Sequence, residues 1–208
     1  MSVSGLVMIL LAIIIALFYL SFERSHPKAA ELVLVAQLCA LCICSRAIFS
    51  FVPYFNPVMA LIMLSGVALG AKKGFLIGSL TAFGSNFIFG QGPWTLYQMV
   101  SWGLSGAIFG WLCLIGAIRR QDWRVKDYFF ACFFAVVSVI FVTGPLADLS
   151  GVFMFGVNDV KSLFVLLSGG FLLNLALAAS SVVTILLVSH SFLFALGRTV
   201  KKSVYGSI

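Results

Sequence analysis

The sequence predicts an all-α integral membrane protein, and three observations carry that expectation. Of 208 residues, 62% are hydrophobic and only 9% charged, with a mean hydropathy of +1.16, which is more apolar surface than a soluble domain of this size can bury. The apolar residues come in long runs that do not alternate as barrel strands do. Several runs approach the ~20 residues that a helix needs to cross a hydrocarbon core about 30 Å thick, where every backbone N–H and C=O must be satisfied internally.

The first apolar segment covers residues 2–22. It has no basic start and no small-residue cleavage pattern after its apolar run, and Arg24 follows it, so it reads as a retained transmembrane helix and not as a signal peptide. Segments at 29–50, 57–71 and 74–89 come next. The last two are short and joined through Lys72-Lys73, which predicts a tight turn and a close helical hairpin. A fifth segment runs over 95–118 and a sixth over 128–147. The tract 162–197 is too long for one span, since about 36 residues at 1.5 Å each would reach roughly 54 Å. Gly169 and Gly170 predict a break, leaving a short surface piece and a final span over 171–196.

Small residues mark where these helices should meet. Gly66, Gly70, Gly74 and Gly78 recur at spacing four across the hairpin, Gly103, Gly106 and Gly110 line the next helix, and Ala36 and Ala40 form an AxxxA pair on the second. Such spacings let backbones approach closely, within one chain or against a partner's helix.

Lysine and arginine set the expected orientation. Arg24 and Lys28, Lys72 and Lys73, Arg119, Arg120, Arg124 and Lys126, and finally Arg198, Lys201 and Lys202 all fall on one side, eleven of the thirteen basic residues. The opposite side receives Lys161, beside Asp148 and Asp159. The basic connections and the C-terminus are therefore expected in the cytoplasm and the N-terminus outside. The net charge of +7 is accounted for by this asymmetry and needs no nucleic acid.

Three connections then face outward: 50–57, 89–95 and 147–161. They are nearly neutral and carry Phe51, Tyr54, Phe55, Phe89, Trp94, Tyr97, Phe153 and Phe155. Rings at headgroup level form an interfacial belt, but Asn56, Asn86, Gln91 and Gln98 beside them are costly near hydrocarbon unless paired or lining a cavity. Flat rings and uncharged amides are what a pocket for a small organic molecule uses. Pro93 and Trp94 ahead of Thr95 read as a helix start with Thr95 as N-cap, placing Trp94, Gln98 and Trp102 on one face toward the pocket. Arg46, toward the outer end of its span, has two readings: it ties down headgroups and loop carbonyls, or it faces the cavity and binds an anionic or polar group.

Enzymatic arrangements are not apparent. His26 and His190 lack a nearby carboxylate or thiol partner in sequence, no serine sits in a nucleophile elbow, and no GxxxxGK[ST] loop is present. The six acidic residues fall at segment ends or in loops, which argues against an autonomous proton-coupled carrier. Cys39, Cys42, Cys44, Cys113 and Cys132 lie in apolar spans and read as buried small hydrophobes, with no metal expected.

Residues 36–112 resemble the substrate-binding S components of energy-coupling factor (ECF) transporters. The resemblance is densest in SNFIFGQGPWTLYQM, residues 85–99, followed by WGLSG, 102–106, a block similar to that of the subgroup associated with cobalamin uptake. It implies a six-helix substrate-binding core over 26–208, with 1–25 as an additional transmembrane helix. It further implies capture of a vitamin from outside, a membrane coupling subunit packed against Ala36 and Ala40, two cytoplasmic ATPase subunits, and delivery by toppling of the whole S component. No cofactor is implied, the vitamin being cargo. Asn174 stands where the family tends to have an acidic residue. The expected pocket comprises Asn86, Phe89, Gln91, Trp94, Tyr97, Gln98 and Trp102, with Arg46 and Asn174 as further candidates and the loop around Asp148 as a lid. Cobalamin is the preferred ligand; Arg46 facing the cavity would favour a carboxylate-bearing vitamin such as pantothenate. A membrane scaffold with no small ligand is the reading from a different class.

Overall fold

The computed structural model describes residues 3–157 and 159–205; the side chains at 3, 4, 153 and 201–205 lie outside that description, so of Phe153 only the backbone is placed. Nine α-helical segments are present among these residues: α1 (Val3–Glu23), α2 (Ala29–Phe49), α3 (Val58–Leu69), α4 (Ala71–Phe89), α5 (Trp94–Leu114), α6 (Val125–Ser138), α7 (Gly144–Asp148), α8 (Ser150–Phe155) and α9 (Val160–Tyr205). A π-helical stretch, Val139–Thr143, links α6 to α7.

A helix that is apolar on every side is stable only when other elements surround it. α3 is such a helix: residues 58–68 are all buried, enclosed chiefly by α4, α5 and α9, with α2 beside it. Its twelve residues rise about 18 Å, well short of a bilayer core. Its single hydroxyl, Ser65 Oγ, donates to the Leu61 carbonyl at 2.7 Å.

The turn from α3 into α4 is made by Gly70 alone. Its φ of +90° and ψ of 169° belong to a region that side chains exclude. The turn expected at Lys72-Lys73 is thus moved to Gly70. Both lysines stand instead in the first turn of α4, where Lys73 Nζ reaches Glu31 of α2 at 2.8 Å. Their charges did not make the turn; the backbone freedom of glycine did.

α4 and α5 form the most extensive helix pair, and glycine is what allows their approach. A Cβ built on Gly74 would lie 2.5 Å from the Gly106 carbonyl oxygen, and one on Gly103 would lie 2.9 Å from the Phe75 ring. α1 packs across the same pair. The Phe18 and Phe75 rings stand 4.1 Å apart between centroids, and the Tyr19 hydroxyl lies 2.9 Å from Ser79 Oγ. Leu11, Ile15 and Phe22 are buried while Leu6, Leu10, Ile13, Leu17 and Leu20 remain exposed, so α1 presents most of its surface to lipid. Tyr19→Phe should lower stability by about 1 kcal/mol, the net worth of one partly buried hydrogen bond, measured as a thermal transition in detergent.

α9 corrects the expected break at Gly169-Gly170. It is one helix of 46 residues, about 69 Å long at 1.5 Å per residue, and no separate span begins at 171. Asp159 starts it: its Oδ2 accepts the Ser162 N–H at 3.0 Å and its Oδ1 the Ser162 hydroxyl at 2.6 Å, a capping arrangement whose donors hold its carboxyl below the usual carboxylate range. The two glycines cost the helix about 1 kcal/mol each relative to alanine, too little to interrupt a tract this apolar. Gly170 has a packing role instead, because a Cβ there would lie 2.6 Å from Asp148 Oδ1.

At the basic end, the buried Asp127 carboxylate organises the connection from α5 to α6. It accepts Arg119 Nε at 3.0 Å, Arg119 Nη2 at 2.8 Å and the backbone N–H groups of Arg119 and Arg124 at 3.0 and 2.9 Å. Gln121 then reaches the Leu193 carbonyl of α9. Four helical stretches, Gly5–Glu23, Ala29–Phe49, Val125–Val152 and Val160–Val200, are long and apolar enough to cross a membrane. The protein is a membrane-embedded helical assembly.

Candidate functional site

Proline decides the geometry of the wall that α6 and α7 make. Pro145 has no N–H to give the carbonyl four residues earlier, and the helix answers with a widened π turn over Val139–Thr143. Hydroxyls hold this turn against α5: Ser105 Oγ lies 2.9 Å from Ser138 Oγ and 2.6 Å from Thr143 Oγ1. Past the turn, Thr143, Gly144, Ala147 and Asp148 border a cavity of about 350 Å³.

The rest of the cavity comes from four elements. α2 supplies Arg46 and Phe49; the α2–α3 connection supplies Ser50, Val52, Tyr54, Phe55 and Asn56; α5 supplies Gln98 and Trp102; α9 supplies Leu173, Asn174, Ala176 and Leu177. The loop is pinned to α9 through Asn56, whose N–H donates to Ser180 Oγ and whose carbonyl accepts that hydroxyl, both at 2.8 Å. The Asn56 side chain accepts the Val58 N–H at 3.1 Å and so starts α3.

Arg46 is the chemical centre of the site. Its Nη1 donates to Ser85 Oγ and, at 2.9 Å, to Asn86 Oδ1. Its guanidinium carbon lies 4.5 Å from the Phe89 ring centroid and 4.9 Å from that of Trp102, a cation held by two π faces. Neither Nε nor Nη2 has a protein acceptor among the described residues, and no carboxylate pairs with Arg46 there. A guanidinium presents five donors in a fixed fork, so part of the fork is left for something else that accepts hydrogen bonds.

Asn86 holds this arrangement from behind. It is 1% exposed, accepts from Arg46, and donates through Nδ2 to Gln98 Oε1 at 2.8 Å and to Thr95 Oγ1 at 3.1 Å. Thr95 Oγ1 in turn donates to Gln91 Oε1 at 2.9 Å and accepts the Gly92 N–H at 3.2 Å. Gln91 Nε2 donates to the Phe83 carbonyl, and Trp94 Nε1 to that of Gly90. The amides of residues 85–99 therefore satisfy one another and shape the α4–α5 connection. Thr95 does this from inside α5, which starts one residue earlier at Trp94, so its expected N-cap position is corrected: Pro93 occupies it, and Thr95 folds the preceding loop instead. Asn86→Leu strands the Arg46 and Gln98 partners. It should cost about 2–4 kcal/mol and weaken ligand binding in parallel, read as a melting shift and a calorimetric titration on the same preparation.

Of the ten residues expected at the site, Arg46, Gln98, Trp102, Asp148 and Asn174 border the cavity. Asn86 and Phe89 contact Arg46 from outside the lining, Gln91 and Trp94 brace the loop, and Tyr97 is buried in the core. Asp148 and Asn174 meet each other directly, Asn174 Nδ2 donating to Asp148 Oδ2 at 2.8 Å. A Cβ on Gly144 would lie 2.5 Å from Asn174 Nδ2, so glycine at 144 makes room for this pair. Sequence reasoning noted Tyr54 and Asn56 among the outward rings and amides without placing them in the pocket, and did not select Thr143 or Gly144. The signal for the last two was the Thr-Gly-Pro triplet inside an apolar span. Ala36 and Ala40 stand exposed on α2 beside Val33, Gln37 and Leu41, a face that no element covers among the described residues.

Fold and site together define a membrane-embedded helical protein with a cavity, lined by both polar and apolar side chains, at the end of the bundle away from most of its basic residues. Comparison of the chain with family models, with curated proteins and with solved structures finds no match.

Proposed function

We propose that the chain is the substrate-binding subunit of an ECF-type importer, a six-helix core plus α1, and that it captures a small carboxylate-bearing nutrient, of the size and chemistry of pantothenate, from outside the cell. The observation that carries this reading is the part-satisfied Arg46 fork in the cavity wall, where an anionic group would complete the hydrogen bonding. The charge asymmetry of the connections supports an orientation with that end outside and the basic connections in the cytoplasm. The chain has no phosphate cradle of its own, so a coupling subunit, seated on the exposed Ala36 and Ala40 face, and two ATPases supply the work. Delivery by toppling suits a cavity end whose loops carry few charges, each of which would cost a few kcal/mol in lipid.

The volume favours the smaller of the two ligands expected from the sequence. About 350 Å³ is at the small end of ligand sites. It accommodates a pantothenate-sized acid, whereas a corrinoid needs the 50–57 loop and α7–α8 to open. Cobalamin is the second reading, favoured by the SNFIFGQGPWTLYQM block.

Calorimetric titration of vitamins into the detergent-purified chain tests this. Strong heat with pantothenate and none with its alcohol, panthenol, is the expected result. A coloured, stoichiometric corrinoid complex would move the reading to cobalamin. A chain that binds neither but copurifies with other membrane proteins would be a scaffold.

A further inference from the structure

The cavity holds a second charge that the capture of a simple acid leaves unused. Asp148 borders it on the α7 side, and its only hydrogen-bond donor among the described residues is Asn174 Nδ2, on Oδ2. Oδ1 accepts nothing there. Arg46 and Asp148 form no ion pair with each other or with any other described residue. Two opposite charges thus share one small cavity unbridged, each with hydrogen-bonding capacity left over: the Nε and Nη2 donors of Arg46 and the Oδ1 acceptor of Asp148.

The structure holds Asp148 in place with some care. Gly170 leaves room for its carboxylate and Gly144 for the Asn174 carboxamide that orients it. Pro145 and the π turn aim α7 at the cavity. A carboxylate that served only to cap its own helix would need none of these accommodations from α9.

Resting on the nutrient-capture reading above, we infer that the ligand is bipolar: a carboxylate at Arg46 and, at its far end, an O–H or N–H donor that Asp148 accepts. Asp148 is then the specificity residue. It rejects acids of the same size with an apolar tail, because they leave its Oδ1 desolvated and without a donor, and such rejection is stronger than that between apolar homologues. The donor is a hydroxyl or an ammonium, and both present the same chemistry to Oδ1.

The experiment uses the full chain in detergent and three probes: pantothenate, with hydroxyls at its far end; the analogue lacking both hydroxyls; and ε-aminocaproate, a zwitterion. Wild type should bind pantothenate or the zwitterion at least about tenfold more tightly than the hydroxyl-free analogue, and which of the two is preferred identifies the donor. In Asp148→Ala that preference should shrink to about twofold or less. Asp148→Asn should keep a hydroxyl ligand, since a carboxamide oxygen still accepts, and lose an ammonium ligand. The ratio between ligands is the readout, so a general loss from misfolding does not imitate it. Asn174→Leu is a second variant that narrows the ratio without removing the carboxylate. Equal affinity of wild type for all three probes, or an unchanged ratio in Asp148→Ala, overturns the inference and leaves capture of an acid standing. Failure of wild type to bind any of the three overturns both.

Discussion

Arg46→Ala is expected to weaken binding of a carboxylate nutrient by at least about 100-fold, because losing a desolvated charge-assisted contact costs roughly 3 kcal/mol or more. Arg46→Lys should recover little of this. The native side chain does three things at once: it donates to Ser85 and Asn86 through one nitrogen, lies against the Phe89 and Trp102 rings, and leaves Nε and Nη2 directed elsewhere. A lysine ammonium is a compact point charge without a planar fork and cannot satisfy all three. Calorimetry on both variants measures the effect. Wild-type affinity in Arg46→Ala would show that the guanidinium serves the loop rather than the ligand.

Gly106→Ala should be severely damaging for so small a substitution, lowering stability by about 3 kcal/mol or more through overpacking. The added Cβ would meet backbone, lying 2.6 Å from the Gly74 carbonyl carbon and 3.2 Å from its Cα, and backbone cannot rotate aside as a side chain can. The α4–α5 pair would have to separate, and with it the platform behind Asn86 and Arg46. Gly169→Ala is the control. It meets nothing within 4 Å and removes a helical glycine, so it should be neutral or stabilising by up to about 1 kcal/mol. Thermal unfolding followed by size-exclusion of the detergent-solubilised variants compares the two. Equal melting temperatures would mean that helix contact at 106 is looser than the backbone positions imply.

Whether α9 is continuous bears on both results. A flexible joint at 169–170 would uncouple Asp148 and Asn174 from the core, whereas one rigid helix transmits the seating of Asn56 on Ser180 to the cavity wall.

Some of this was readable in the chain alone. Hydropathy and run length determined the helical, membrane-embedded class, since a bilayer leaves a continuous apolar chain few alternatives. The distribution of lysine and arginine sorted the connections, and the glycine spacing marked the α3–α4–α5 contact before any coordinates. Arg46 and Gln98 could be named as candidates because polar groups in apolar surroundings need partners, Trp102 because it shares a helical face with Gln98, Asp148 from its place in an outer loop, and Asn174 through the resemblance alone. Which partners they have was decided only by tertiary structure. Gln91 and Trp94 look in sequence like ligand contacts, and they brace their own loop, because hydrogen-bond pairing depends on where neighbouring helices place acceptors and not on residue type. Gly169 and Gly170 look like a break, yet the helix runs through them to admit a carboxylate from α7. Local propensity is worth about 1 kcal/mol at such a position, and packing across helices outweighs it.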